Sequence, residues 1–176
     1  FRKEQDNVGL FGYTAGATIE DFDLVAADIV GESNVGGVVG TMEDTSISDV
    51  TIFDSHVRAY LSYYGGGIAG IMMENTGTST ISYVTMSGGG VHGSGNIIGG
   101  LIGKMFDGIL TYDNFSVSVD GGFSIGGAIG EMSTGSVSYV DITGSVHSDR
   151  TEGEFIAKSG ENTGGFVGYM YEGTIT

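Results

Sequence analysis

The sequence predicts an all-β fold, a parallel β-solenoid (β-helix) of about six coils, on three observations. A motif of Gly, two apolar residues and Gly recurs six times, and a second set of apolar positions follows the copies at regular spacing. Pro is absent from the 176 residues, although Gly occurs 34 times. Because Pro breaks the hydrogen-bond ladder of a central strand, these features favour stacked parallel strands with a period near 28 residues.

The glycine motif marks each repeat at one place. Its closing glycines are 27 to 38 residues apart, at Gly12, Gly40, Gly70, Gly103, Gly130 and Gly168. In five of the six copies a further Gly precedes the motif; the exception has Val8. We expect these glycines to let the chain turn tightly or to let two sheets approach each other.

A second apolar pattern follows each glycine motif. Its first residue lies seven positions after the closing glycine in four copies, and we place it at Ile81 and Tyr112 in the other two, where an insertion shifts it. From this residue, i, the apolar positions are i, i+3 and i+5: Ile19/Phe22/Leu24, Ile47/Val50/Ile52, Ile81/Val84/Met86, Tyr112/Phe115/Val117 and Val137/Val140/Ile142. The last step has the period of a strand with one buried face, and the extra residue before it indicates a bend or bulge.

The repeats predict a single solenoid segment over residues 1–176. Their approximate bounds are 8–35, 36–65, 66–98, 99–125, 126–163 and 164–176. The longest interval contains Ser148–Glu154, which we expect to form an outer loop. The chain starts and stops inside the pattern, and we therefore expect it to be a piece of a longer protein.

Composition and charge exclude several function classes. The chain has 22 Asp and Glu against 6 Lys and Arg, a net charge of −16, which disfavours nucleic acid as a partner. No apolar run approaches the roughly 20 residues of a membrane span, so we expect no membrane insertion. The absence of Cys excludes disulfides, thiolate metal sites and a cysteine nucleophile.

The motif, with the Ser/Thr-flanked apolar residue that follows it, resembles the GLUG motif. The best copies are residues 126–138 and 164–176, and the resemblance covers nearly the whole chain. It implies a large, repetitive, secreted or surface-attached microbial protein, in some cases adhesin-like. In others the repeats stand beside a zinc peptidase domain with a His-Glu-x-x-His motif, which His56, His92 and His147 do not form.

Catalytic, cofactor and metal sites are not predicted. Carboxylate columns place Asp21, Asp49 and Asn114 at i+2, but the few basic residues are scattered, so a polysaccharide-active enzyme is the least favoured function. The three histidines do not form one column and are assigned to the surface rather than to zinc. Acidic loops permit weak calcium binding at most, because no calcium-loop motif is present.

Exposed aromatic residues supply the candidate binding surface: Tyr60, Tyr63, Tyr64, Tyr83 and Tyr139. Of these, Tyr83 and Tyr139 share the outward i+2 column, and loops 54–66 and 146–162 are the other candidate contact regions. Asn114 begins the sequence Asn-Phe-Ser and is a candidate N-glycosylation site.

The sequence therefore predicts a non-catalytic structural segment of a large extracellular or cell-surface protein, acting as a stalk, fibre or filament-forming module. Its expected partners are adjacent solenoid coils or further copies of itself end to end. The alternative is an adhesin or carbohydrate-binding module that uses outer loops and tyrosines to contact glycans or a host surface.

Overall fold

A computed structural model describes residues 6–60, 63–94, 97–148 and 162–176. These residues contain strands and bends but no helix, and every strand pairing between them is parallel. This confirms the predicted parallel β-solenoid.

The strands of the described residues fall into three sheets. Sheet 1 contains β1 (Asp6–Val8), β5 (Ser33–Gly36), β8 (Tyr64–Gly66), β12 (Ile97–Gly99), β16 (Ser124–Gly126) and β20 (Asn162–Gly164). Sheet 2 contains β2 (Phe11–Ala15), β6 (Val39–Glu43), β9 (Ala69–Met73), β13 (Ile102–Met105), β17 (Ile129–Met132) and β21 (Val167–Met170). Sheet 3 contains β3 (Thr18–Val25), β4 (Asp28–Gly31), β7 (Ser46–Ala59), β10 (Thr80–Ser82), β11 (Thr85–Gly93), β14 (Ile109–Thr111), β15 (Asn114–Gly121), β18 (Ser136–Ser138), β19 (Asp141–Ser148) and β22 (Thr174–Ile175).

Each coil passes through sheets 1, 2 and 3 in turn and then begins the next layer. The layers are coil 1 (β1–β4), coil 2 (β5–β7), coil 3 (β8–β11), coil 4 (β12–β15), coil 5 (β16–β19) and coil 6 (β20–β22). The turns between sheets 1 and 2 continue the ladder: Ile68 N donates to Leu101 O at 2.8 Å, and Leu101 N donates to Ala128 O at 2.8 Å. Equivalent residues therefore stack in columns about 4.8 Å apart along the axis.

The glycine motif allows sheets 1 and 2 to touch backbone to backbone. A Cβ added to the closing glycine Gly40 would lie 2.4 Å from the carbonyl carbon of Asn7, and one added to Gly70 would lie 2.4 Å from that of Asn34. Since real Cβ atoms do not approach backbone so closely, only Gly fits these positions. The expected approach of two sheets therefore occurs here.

Side chains from all three sheets fill the core. The i column is inward and buried in coils 1 to 5: Ile19, Ile47, Ile81, Leu110 and Val137. The i+5 column is inward as well and contains the largest of the fully buried side chains, Phe115. At the corners, buried hydroxyls satisfy backbone groups; Ser79 Oγ accepts from Thr45 N and donates to Met73 O.

The bend predicted between i and i+3 is present in five coils. The residue at i+2 has a positive φ of 54° to 59° in every case: Asp21, Asp49, Tyr83, Tyr112 and Tyr139. This left-handed conformation turns the i+2 side chain outward and restores the inward direction at i+3.

The predicted register of the fourth repeat is wrong by two residues. Leu110, not Tyr112, pairs with Ile81 and is fully buried, whereas Tyr112 is exposed. Phe115 accordingly occupies i+5 beside Met86, and Asn114 occupies i+4 beside Thr85 rather than i+2. Leu110 follows Gly103 by seven residues, so this coil needs no insertion. The described insertion lies in coil 3, where residues 74–78 form an exposed loop held by the carboxylate of Asp44.

Candidate functional site

Three tyrosines of coils 3, 4 and 5 form a continuous stack on the outside of sheet 3, which we call the tyrosine ladder (Tyr83, Tyr112 and Tyr139). The ring centroids of Tyr83 and Tyr112 are 5.1 Å apart with an interplanar angle of 4°. Those of Tyr112 and Tyr139 are 4.9 Å apart with an angle of 1°. The three residues are 57%, 49% and 69% exposed in chain order, so solvent reaches the stack from outside the solenoid.

The backbone places these rings in register. All three residues follow a short strand of sheet 3 and have the left-handed conformation of the bend, which directs their side chains outward at the same height in each layer. Parallel pairing of the flanking strands then fixes the ring spacing near the distance between coils. The ladder is thus a direct consequence of placing Tyr at i+2 in three successive coils.

Polar and acidic side chains surround the ladder. Asp21 and Asp49 continue the same i+2 line on coils 1 and 2, and both are exposed. On one side, Thr111 and Ser138 are joined by a 3.0 Å hydrogen bond between their hydroxyls. On the other, the i+4 column ends in the exposed Asp141. The surface therefore combines aromatic rings with hydroxyl groups and with carboxylates that form no ion pair with a described Lys or Arg.

A buried carboxylic acid lies directly behind the ladder. Asp113 occupies the inward i+3 position between Val84 and Val140 and is only 2% exposed. Its Oδ1 accepts a 2.7 Å hydrogen bond from Val84 N, while its Oδ2 has no partner. Burial raises the pKa of Asp113 to about 7, although the hydrogen bond from Val84 N lowers it. The group therefore titrates near neutral pH.

The sequence-predicted tyrosines do not form one surface. Tyr83 and Tyr139 belong to the ladder, joined by Tyr112, which the wrong register had assigned to the core. The remaining three lie where sheet 3 ends and sheet 1 begins: Tyr60, Tyr63 and Tyr64. Tyr60 and Tyr63 are exposed, and the rings of Tyr63 and Tyr64 are 6.3 Å apart and tilted by 42°. Leu110 follows Gly103 by seven residues, as the first apolar residue does in four other copies. This spacing could have placed Leu110 at i and therefore Tyr112 at the outward i+2 position.

The other predicted contact regions differ from expectation. Residues 54–59 belong to strand β7 and 64–66 to strand β8, so 54–66 is not one long loop. Residues 146–148 belong to β19, and the rest of 146–162 falls outside the described residues except for Asn162. The predicted insertion Ser148–Glu154 also lies outside the described residues beyond Ser148. Asn114, the candidate glycosylation site, is exposed on β15.

The ionisable groups away from the ladder include a histidine pair on sheet 3 and the carboxylate of Asp44 after sheet 2. His56 and His92 stack with ring centroids 5.9 Å apart, and His92 Nδ1 lies 2.6 Å from Asp120 Oδ2. Among the described residues, no group of three or more His, Cys, Asp or Glu side chains could hold a metal ion. The carboxylate of Asp44 is engaged by the backbone N–H groups of Asn75 and Thr76, and this holds the pKa of Asp44 below its usual value.

Comparisons with protein-family models, with curated proteins and with solved structures gave no match to this chain. In the part of the chain that the structure describes, no helix is long and apolar enough to cross a membrane.

Proposed function

We propose that the chain is a non-catalytic structural repeat segment of a large extracellular or cell-surface protein, in which it acts as a stalk, fibre or filament-forming module. The observation that carries this proposal is the open ladder at both ends of the described solenoid. Leu10 and Phe11 on coil 1, and Met170 and Ile175 on coil 6, are exposed. In coils 2 to 5 the same columns are fully buried.

The open ladders favour the addition of further layers. No described strand pairs with the outer edge of coil 1 or of coil 6, and parallel edges flanked by exposed apolar side chains are templates for another strand. A layer added on coil 6 would cover Met170 and Ile175 as coil 6 covers Met132 and Val137. The resemblance to the GLUG motif supports an extracellular or cell-surface location.

Gly165 offers a direct test of layer addition. In the preceding coils, a Cβ at the matching glycines would lie 2.0 to 2.2 Å from a carbonyl oxygen of the next coil: Gly37, Gly67, Gly100 and Gly127. At Gly165 nothing lies within 4 Å. A side chain at this position therefore leaves the isolated solenoid undisturbed but blocks the layer that would cover coil 6.

We expect the unmodified chain to form elongated, concentration-dependent assemblies, and Gly165→Val to abolish them. Analytical ultracentrifugation and electron microscopy measure the assembly, and circular dichroism verifies that the variant is folded. Ser116→Val, which adds an exposed apolar side chain to an inner coil, is the matched control and should assemble normally. A monodisperse monomer of the unmodified chain at all concentrations, or normal assembly of Gly165→Val, would contradict the proposal.

A second candidate function is an adhesive or carbohydrate-binding module, and the tyrosine ladder is the observation that favours it. Exposed aromatic rings are enriched at binding surfaces, because they bury a large area with little loss of conformational freedom. Three stacked rings in one line offer such a surface over three coils. Glycans or a host surface are the ligands expected from the sequence.

A further inference from the structure

The stacking of the tyrosine ladder determines which part of its rings meets solvent. The ring centroids are 5.1 Å apart between Tyr83 and Tyr112 and 4.9 Å apart between Tyr112 and Tyr139, and the rings are nearly parallel. Both faces of Tyr112 are therefore covered by its neighbours, and solvent meets mainly the ring edges. The three residues remain exposed, so a reagent in solution reaches those edges.

The phenol group is the oxidisable part of a tyrosine. Loss of one hydrogen atom from its O–H leaves a phenoxyl radical, whose unpaired electron is shared with the ring carbons next to the oxygen-bearing carbon. Two such radicals form a bond when these carbons meet, so coupling is favoured where a structure holds two rings together. The ladder holds Tyr112 against a second tyrosine on each side.

We propose that the tyrosine ladder is an oxidative cross-linking site, at which Tyr112 is joined to Tyr83 or to Tyr139 as dityrosine. The step needs a one-electron oxidant, such as a haem peroxidase with hydrogen peroxide. Each phenol gives up one hydrogen atom, and the two radicals form a carbon–carbon bond between ring carbons next to the oxygen-bearing carbons. The hydrogens on those carbons then move to the oxygens and restore both phenols. Overall, the pair loses two hydrogen atoms, and one hydrogen peroxide is reduced to two water molecules.

The position of the ladder in the fold suits this reaction. The three tyrosines lie on the outside of sheet 3 at the bend, and the strands before and after the bend stay paired from coil to coil. Rotation of the exposed side chains can therefore bring two ring edges together while the ladders persist. The rings of Tyr63 and Tyr64 are 6.3 Å apart and tilted by 42°, and these residues are adjacent in sequence, so their coupling would join no two coils.

A cross-link in the ladder would tie one coil covalently to the next. The chain contains no Cys, so disulfides cannot do this. Because each coil of a solenoid contacts only its neighbours, a stalk that is pulled at its ends can lose its coils one after another. Dityrosine between two coils closes a loop and restricts the unfolded chain, as a disulfide does. This modification adds to the structural role proposed above and does not require separate chains to assemble.

The test treats the full chain, at low concentration, with hydrogen peroxide and a haem peroxidase. Fluorescence detects dityrosine, and mass spectrometry of the monomer detects the loss of two hydrogen atoms and identifies the joined peptides. The decisive variant is Tyr112→Phe, which keeps an aromatic ring in the stack but has no phenolic hydrogen to lose. Tyr63→Phe makes the same change in an exposed tyrosine outside the ladder and is the matched control. Circular dichroism before oxidation verifies that both variants are folded.

We expect the parent chain and Tyr63→Phe to form dityrosine within the monomer, with Tyr112 joined to a neighbouring coil. Tyr112→Phe should form about ten-fold less, since Tyr83 and Tyr139 are two layers apart with the phenylalanine ring between them. Oxidation should also raise the urea midpoint of the parent monomer more than that of Tyr112→Phe, because only the parent gains a link between coils.

Four results would overturn the inference. The absence of dityrosine from the oxidised parent would show that the stacked rings do not couple. Dityrosine found only in covalent dimers would show that the rings react between chains. Equal yields in the parent and in Tyr112→Phe would assign the reaction to other tyrosines. Equal reductions in Tyr63→Phe and Tyr112→Phe would show that coupling depends on exposure and not on stacking.

Discussion

Replacing Gly100 with alanine is expected to destabilise the solenoid by more than about 3 kcal/mol, because the new Cβ overlaps rigid backbone. It would lie 2.0 Å from the carbonyl oxygen of Gly127 in the next coil. Relief of this overlap requires coils 4 and 5 to separate locally, which weakens the ladder bond from Leu101 N to Ala128 O. Urea unfolding followed by far-UV circular dichroism measures the loss.

Gly165→Ala is the matched control for this substitution. Gly165 occupies the same position of the repeat in coil 6, and nothing lies within 4 Å of the added Cβ. In dilute protein we expect a change below about 0.5 kcal/mol, as for an ordinary surface substitution. Similar losses in both alanine variants would show that glycine is required for its conformational freedom and not for the close approach of coils.

Asp113→Asn is expected to stabilise the protein above neutral pH by roughly 2 to 4 kcal/mol, because it removes a buried charge. Burial raises the pKa of Asp113 to about 7 in the folded chain, whereas an unfolded Asp titrates near about 4. Asn is neutral and close in shape, and its oxygen can still accept the hydrogen bond from Val84 N. The substitution therefore imitates the protonated acid.

The sign of the pH dependence follows from the raised pKa. Below about pH 4 Asp113 is protonated in both states, and its full contribution to stability is present. Between about pH 4 and 7 the unfolded chain releases the proton and the folded chain keeps it, so the free energy of unfolding falls. Above the folded pKa this contribution is lost.

Unfolding of the parent chain and of Asp113→Asn at several pH values between 4 and 8 tests this prediction. The difference in stability between them should be small near pH 4, grow as the pH rises and level off above about pH 7. Asp141→Asn removes an exposed carboxylate from the next coil and should leave the pH profile close to that of the parent. A difference that does not change with pH would contradict a buried, titrating Asp113.

Most of the fold could be predicted from the sequence because its strongest signals have simple physical causes. Gly is required where sheets 1 and 2 touch, and the inward columns of coils 1, 2, 3 and 5 contain only apolar residues at i, i+3 and i+5. Both signals recur in successive repeats. The agreement among the copies therefore identified the strands, although the sequence of any one strand is only a weak indication. The extra residue between i and i+3 predicted the bend that the structure has at i+2.

The fourth repeat shows where this reasoning failed. Asp113 occupies the inward i+3 position, which is Val in coils 2, 3 and 5. Because Asp is not apolar, the apolar pattern was assigned two residues too late, to Tyr112, Phe115 and Val117. Sequence pattern cannot reveal that Val84 N stabilises a buried acid, since this contact joins different coils. The same error concealed Tyr112, and with it the continuous ladder.

The predicted loop 54–66 failed for a related reason. Strand β7 continues through the polar residues at the start of this range. Asp54 forms a second left-handed bend, and Ser55 Oγ accepts a hydrogen bond from Ala27 N inside the corner. Hydrophobic pattern distinguishes inward from outward positions, but it cannot separate a bulge that preserves pairing from a loop that ends it.

The equivalence of the coils also governs how such a chain can change in size. One residue inserted within a strand would reverse the facing of the side chains that follow it, whereas extra residues at a corner, as in 74–78, leave the ladders intact. A complete additional repeat extends all three sheets at once and lengthens the rod by about 4.8 Å. The length of the solenoid is therefore set, in steps of one coil, by the number of repeats.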